Sequence, residues 1–160
     1  MLKKTIILVL FTITTMILVS QAPAFTVETI QGETIRSEAL LEKGPIYLDF
    51  WSTSCVPCKS KQPFISEFVT KYPDMTFLAV STDGPRHRDA VVRHVRSNRY
   101  SFITGLDSNR NLQRMFNVSS IPRSLIINQN GEIVYDNTGF QAGDEVKIEA
   151  EIRAVLGLAE

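Results

Sequence analysis

The chain has 160 residues, 44% of them apolar and 21% charged, and its 17 basic and 17 acidic side chains cancel. That length suits one domain with a full hydrophobic core. The balanced charge speaks against a nucleic-acid partner, which would call for a clustered basic excess.

Met1-Leu2-Lys3-Lys4 precedes a run from Thr5 to Val19 without a charge, and Ala22-Pro23-Ala24 offers small residues where a signal peptidase reads. This is the pattern of a secretory leader, with cleavage expected after Ala24. The uncharged run is shorter than the roughly 20 residues that span a bilayer; retention as an N-terminal anchor is the alternative. No cysteine follows the leader directly, which excludes a lipid-modified anchor. The expected division is a leader at 1–24 and one domain at 25–160. Setting aside Lys3 and Lys4 leaves 15 basic against 17 acidic residues in that domain. Export also takes a dithiol out of the reducing cytoplasm, so a protein acting there as a reductant needs a supply of electrons.

Alternation over Phe25–Ile30, a turn at Gln31-Gly32 and a return over Glu33–Arg36 predict an N-terminal hairpin. Ser37 opens a brief helical turn through Leu41. The nearly continuous apolar run Pro45–Trp51 predicts a buried central strand. Phe64, Ile65, Phe68 and Val69 recur at helical spacing up to Tyr72-Pro73. Met75–Val80 reads as a second buried strand, Arg86–Asn98 as a helix, Ser101–Thr104 as a short strand and Asn109–Phe116 as another helix. Ser124–Asn128 and Glu132–Tyr135 flank Gln129-Asn130-Gly131, a hairpin signature. Gly143–Leu156 closes the chain as an amphipathic helix stopped by Gly157. Strands alternating with helices, then a hairpin and a helix, imply an α/β domain with a mixed sheet.

The only two cysteines, Cys55 and Cys58, stand between the first buried strand and the first long helix. A C-x-x-C pair at a helix mouth is a redox device. The first cysteine meets backbone N–H groups that have no intrahelical partner and the positive end of the macrodipole, which favours its thiolate. Cys55 is the expected nucleophile, and Cys58, one turn on and less exposed, the resolving thiol. The bland alternative is a stabilising disulfide, but so short a loop gains only about 2 kcal/mol from closure. A zinc site lacks its usual four ligands.

Asp49-Phe50-Trp51, Cys55-Val56-Pro57-Cys58-Lys59, Pro63, Ile121-Pro122, Asn130-Gly131 and Gly139 fall in the order and rough spacing of the thioredoxin fold. The chain resembles that superfamily over the whole exported part. The extra helix and strand between Ser81 and Ile121 resemble its exported TlpA/ResA-like branch. The sequence departs from these relatives at Ser54, where many have tryptophan, at Lys61, where glutamate is frequent, and at Arg123, where thioredoxins have threonine. The insert of the cytochrome-maturation CcmG type is not evident.

The resemblance implies a central mixed β-sheet flanked by helices, with an N-terminal hairpin and a helix-strand insert before a cis-proline loop at Ile121-Pro122. It implies Asp49 as a general base for Cys58; burial of that carboxyl would raise its pKa. Trp51, Val56, Pro57, Ile121, Pro122 and Arg123 form the expected substrate-binding set. Pro57 also suits the first turn of a helix, Pro63 would kink it, and Gly139 would let the backbone approach the site closely. The implied activity is extracytoplasmic thiol-disulfide exchange with protein substrates, as in cytochrome maturation. It needs no cofactor beyond the cysteine pair, and an upstream donor, membrane-bound by expectation, supplies electrons. Strongly oxidising relatives hold their reduced form by roughly 7 kcal/mol more than thioredoxin does. Val56 brings neither charge nor hydrogen bond toward such an excess, which favours the reducing direction, although Lys59 and Arg123 could supply part of it.

Two other readings stay open. A peroxide-reducing thiol enzyme would normally place threonine three residues before the reactive cysteine, where this chain has Ser52. A copper chaperone would use the soft thiolates, but with a wider cysteine spacing and an added histidine. The basic run Arg86, His87, Arg88, Arg93, His94, Arg96 and Arg99 reads as a solvated helix face, with docking of an acidic partner as the alternative.

Overall fold

The computed structural model describes residues 20–158, so most of the expected leader lies outside the described residues. Ser20–Gln21, which the sequence reading assigns to that leader, form a short strand, β1. The hairpin follows as β2 (Thr26–Thr29) and β3 (Thr34–Arg36), then a short helix α1 (Ser37–Leu41). Next come β4 (Ile46–Trp51), the long helix α2 (Val56–Lys71) and β5 (Thr76–Ser81). A single 3-10 turn at Pro85–His87 leads into α3 (Arg88–Ser97), β6 (Ile103–Leu106) and α4 (Asn111–Met115). The chain ends with β7 (Arg123–Ile127), β8 (Glu132–Thr138) and α5 (Asp144–Val155).

The strands form one mixed sheet in the order β1-β8-β7-β4-β5-β6-β2-β3. β4 runs parallel to β5, and β5 to β6; β7 pairs antiparallel with both β4 and β8. All six residues of β4 are buried because helices cover both faces, which is why its sequence is almost unbroken in its apolarity. Side chains alternate across the sheet. Tyr47 and Trp51 enter the core beneath α2, α3 and α5, together with Cys58, Ile65, Val91, Val95, Ile148 and Ile152. Ile46, Leu48 and Phe50 enter the opposite core with Leu40 of α1 and Leu112 of α4.

The N-terminal hairpin extends the sheet by docking β2 on β6, with Thr29 opposite Gly105. A Cβ at Gly105 would lie 2.6 Å from Val27 Cγ2, so this close approach requires glycine. β6 begins two residues later than its pattern suggests, because Ser101 turns away to exchange hydrogen bonds with Ser66 at the α2 surface, each 3.1 Å long. Among the described residues no helix is long and apolar enough to cross a membrane.

Candidate active site

The turn from β4 to α2 is held from the neighbouring strand. Asp83, just past β5, accepts the Thr53 N–H on Oδ2 at 2.9 Å and the Thr53 hydroxyl on Oδ1 at 2.8 Å. The Ser81 hydroxyl donates to the same carboxylate at 2.8 Å. A backbone bond from Thr82 N–H to Trp51 O, 2.8 Å, continues the clamp. The loop delivers Cys55 in an extended conformation at the N-cap of α2, where its Sγ accepts the Cys58 N–H at 3.3 Å. Sulfur thus takes the capping place that Ser, Thr or Asp commonly hold. Any negative charge that develops on Cys55 meets this donor and the open N-terminus of a helix.

Cys55 and Cys58 are joined by a disulfide, with their Cα atoms 5.3 Å apart. Cys55 is half-buried and Cys58 fully buried, so an incoming sulfur can reach only the first. Val56, beside it, is 68% exposed, and Pro57 is exposed within the first turn of α2.

Asp49 is 1% exposed on β4, so its carboxyl lies inside the protein. Lys61, on α2 one turn beyond Cys58, is also fully buried and forms an ion pair with Asp49 Oδ1. Its Nζ donates as well to Ser124 Oγ on β7, at 2.7 Å. Ser124 in turn donates to Asp49 Oδ1 at 3.1 Å and accepts from the Tyr47 hydroxyl at 2.9 Å. Burial raises the pKa of the Asp49 carboxyl; the Lys61 charge and the bonds from Lys61 and Ser124 pull it back without cancelling the rise. Burial likewise pushes the Tyr47 phenol well above its usual range, with the Asp49 charge adding to the effect.

On the other flank the Ile121–Pro122 bond is cis, the geometry the resemblance implied. Ile121 is half-exposed and Pro122 buried, and the Pro122 carbonyl accepts the Gly139 N–H at 2.7 Å. Gly139 is a glycine for its φ of +93°, not for space, since a Cβ there would meet nothing within 4 Å. Pro63 lies inside α2.

Two members of the expected substrate-binding set are engaged within the protein. Trp51 is completely buried, with its indole against the His94 imidazole at 5.3 Å between centroids, so it supports the site from below and cannot touch a substrate. Arg123 is consumed elsewhere. Its Nε and Nη2 bind Asp136 at 2.9 and 2.6 Å, and Nη1 donates to the Phe116 and Asn117 carbonyls at 2.9 and 2.8 Å. The guanidinium ties α4 to β8, and the charge it could have lent a thiolate is already neutralised.

Lys61, Ser124, Asp83 and His94 went unnoticed as parts of the site in the sequence. Lys61 left a readable trace: it interrupts the stripe 58-61-65-68 that α2 turns inward, where a lysine without a buried acid is untenable. Arg86, His87, Arg93, Arg96 and Arg99 are exposed on the 3-10 turn and around α3, consistent with a solvated face. Among the described residues no three His, Cys, Asp or Glu side chains gather in a way that could hold a metal ion.

Comparison with known proteins meets this geometry. A thioredoxin-like family model matches residues 44–133, a span running from the head of β4 past the dithiol and the cis-proline loop into β8. Thiol-disulfide oxidoreductase ResA of Bacillus cereus is 27% identical over 127 residues, 79% of this chain and 73% of that protein. ResA of Bacillus subtilis is 30% identical over 120 residues, covering 75% and 66%. A solved structure described as the thiol:disulfide interchange protein DsbE of Chlorobium tepidum superposes with a TM-score of 0.80 at 25% identity, over 87% of this chain and 97% of that one. A half-exposed sulfur capping a helix, its buried partner one turn on, and these relatives lead to one assignment: the chain belongs to the thioredoxin-like family, as a ResA-like thiol-disulfide oxidoreductase.

Proposed function

We propose that the chain works outside the cytoplasm as a reductant of protein disulfides. The observation that carries this reading is the placement of Cys55 Sγ at the N-cap of α2, accepting the Cys58 N–H. That donor and the helix N-terminus favour a thiolate at Cys55, which attacks a substrate disulfide and forms a mixed disulfide. Cys58 then displaces the substrate, with Asp49 as the base that receives its proton. Val56, Pro57, Ile121 and the backbone at Pro122 form the substrate-facing rim. The dithiol is the only redox group this chemistry requires.

The reducing direction is supported by what surrounds the sulfurs. Val56 adds no charge, and Arg123 is paired with Asp136, which leaves Lys59, of the two cations considered from the sequence, to stabilise a thiolate. A potential near thioredoxin's, about −270 mV, fits this better than one near −120 mV. Export, read from the leader pattern, then requires a membrane-bound electron donor, because the surroundings do not keep a dithiol reduced.

Insulin-disulfide reduction tests the reading. Wild-type protein with a dithiol donor should precipitate insulin chains, and Cys55→Ser should lose the activity completely; an unchanged Cys55→Ser refutes the assignment. Equilibration in glutathione buffers should return a potential well below the glutathione midpoint, and a strongly oxidising value would reverse the direction. Cys58→Ser should trap mixed disulfides in the exported fraction, where apocytochromes are one substrate class to look for.

A further inference from the structure

Charge is spread unevenly over residues 25–160. The stretch 86–99 holds five arginines and one acid, Asp89, whereas the rest of that span has ten basic against sixteen acidic side chains. An ordinary solvated surface intersperses the two signs. Arg93 and Arg96, three apart on α3, share a side of the helix; Arg86 precedes α3 on the 3-10 turn and Arg99 follows it, and all four are exposed. Among the described residues none of their guanidiniums is ion-paired or hydrogen-bonded within the chain. Arg88, by contrast, is spent on the Ile30 carbonyl and on Glu28.

This face adjoins the dithiol. Asp83, three residues before Arg86, holds Thr53, two residues before Cys55. His94 of α3 meets Gln62 of α2 at 2.6 Å and packs against Trp51, and the charge of Lys59, next to Cys58, reaches His94. A body resting on α3 therefore lies alongside the helix that carries the sulfurs. The stretch contains no lysine, and a guanidinium is a planar fork that grips a carboxylate by two parallel bonds. α3 has no exposed large apolar side chain with which to enter a bilayer. These features fit an acidic protein surface.

We propose that Arg86, Arg93, Arg96 and Arg99 form a docking face for an acidic patch on the protein whose disulfide Cys55 attacks. The proposal rests on the reductant reading above and adds the class of substrate it favours, disulfides flanked by Asp and Glu. Opposite charges speed the encounter, and salt screens them. None of the four arginines belongs to the reacting pair, so the face acts on the second-order rate and leaves the covalent step alone.

The probes are two synthetic peptides with the same disulfide loop, one with a tail of glutamates and the other with a tail of glutamines. Stopped-flow mixing with reduced protein should give a second-order rate constant about tenfold higher for the glutamate peptide at about 0.02 M salt, shrinking to about twofold at about 0.3 M. Arg86→Gln/Arg93→Gln/Arg96→Gln/Arg99→Gln should erase the preference and leave the glutamine-peptide rate within about twofold of wild type. Lys43→Gln/Lys71→Gln removes exposed cations ahead of β4 and in the last turn of α2, and should keep the preference. Equal wild-type rates for the two peptides, a preference that survives in the fourfold variant, or a loss as large per charge in the lysine variant overturns the proposal. Sedimentation with phosphatidylglycerol vesicles is the second arm: binding that needs the four arginines, with the peptides reduced at equal rates, assigns the face to lipid and overturns it too. A wild type that reduces neither peptide sinks the reductant reading instead. Fluorescence anisotropy of a labelled glutamate peptide without cysteines, on the oxidised protein at low salt, then decides the docking: binding lost in the fourfold variant supports the face, and no binding refutes it.

Discussion

His94 lies between the Trp51 and Tyr100 rings, with centroids 5.3 and 5.8 Å away, and its Nε2 meets Gln62 Oε1 at 2.6 Å. Burial, and after it the positive charge of Lys59, pushes its pKa below the ordinary 6.5, against a weaker opposite pull from Asp83. The folded chain therefore binds this proton less readily than the unfolded chain. Its contribution to stability is complete above about pH 6.5 and is lost as the pH falls through the depressed native pKa. His94→Phe keeps a ring against Trp51 and should flatten the acid limb of a plot of denaturation midpoint against pH; an acid limb as steep as that of the wild type would refute the assignment. Cys55, Cys58, Asp49 and the cis-proline were legible in the sequence because each occupies a fixed place in a recognisable motif. Ser124 was not, and Lys61 left only its interruption of the inward stripe of α2, since lysine is expected at the surface. Its burial makes sense only once β4, α2 and β7 are brought together. The pairing of Arg123 was hidden for a different reason: Asp136 comes beside it only across the hairpin.

At the scale of elements, sequence pattern and turn signals located each helix and each long strand of the described residues, although β8 runs on to Thr138, past the expected end at Tyr135. β4 and β5 announce themselves as apolar runs and α2 as an inward stripe, because burial on one or both faces leaves that imprint. Pairing partners were less visible. Nothing in the hairpin Thr26–Arg36 states that it docks on β6, and the one clue is Gly105, whose missing side chain makes room for Val27. Gly105→Ala should destabilise the fold by about 1–3 kcal/mol through overpacking, measured by chemical denaturation. Adding Val27→Ala should recover part of that loss, whereas additive losses would show that the two positions are not in contact. β1 escaped notice because two exposed residues joined by backbone hydrogen bonds carry no hydropathy pattern.

On the scale of the whole molecule, the sheet is a partition between two cores, and the reactive pair stands at one end of it, where β4 and β5 finish. The expected cleavage after Ala24 would remove β1, the Ala22 N–H bond to Gly131 O at 2.8 Å, and the packing of Ala22 on the second core. With about 0.5–1.5 kcal/mol for each hydrogen bond, a chain starting at Phe25 should unfold about 1–3 kcal/mol more easily than one starting at Ser20; equal denaturation midpoints would show that β1 contributes nothing. The stretch Ser20–Arg36 supplies both outermost strands, two residues long on one margin and three on the other. β3 gives a neighbouring polypeptide almost no ladder to lengthen, whereas β1 covers β8 only at Glu132 and Ile133. An enzyme whose work brings it against other chains through their sulfurs thus meets them with one blunt margin, at β3, and with a second that loss of β1 would lengthen to the seven residues of β8.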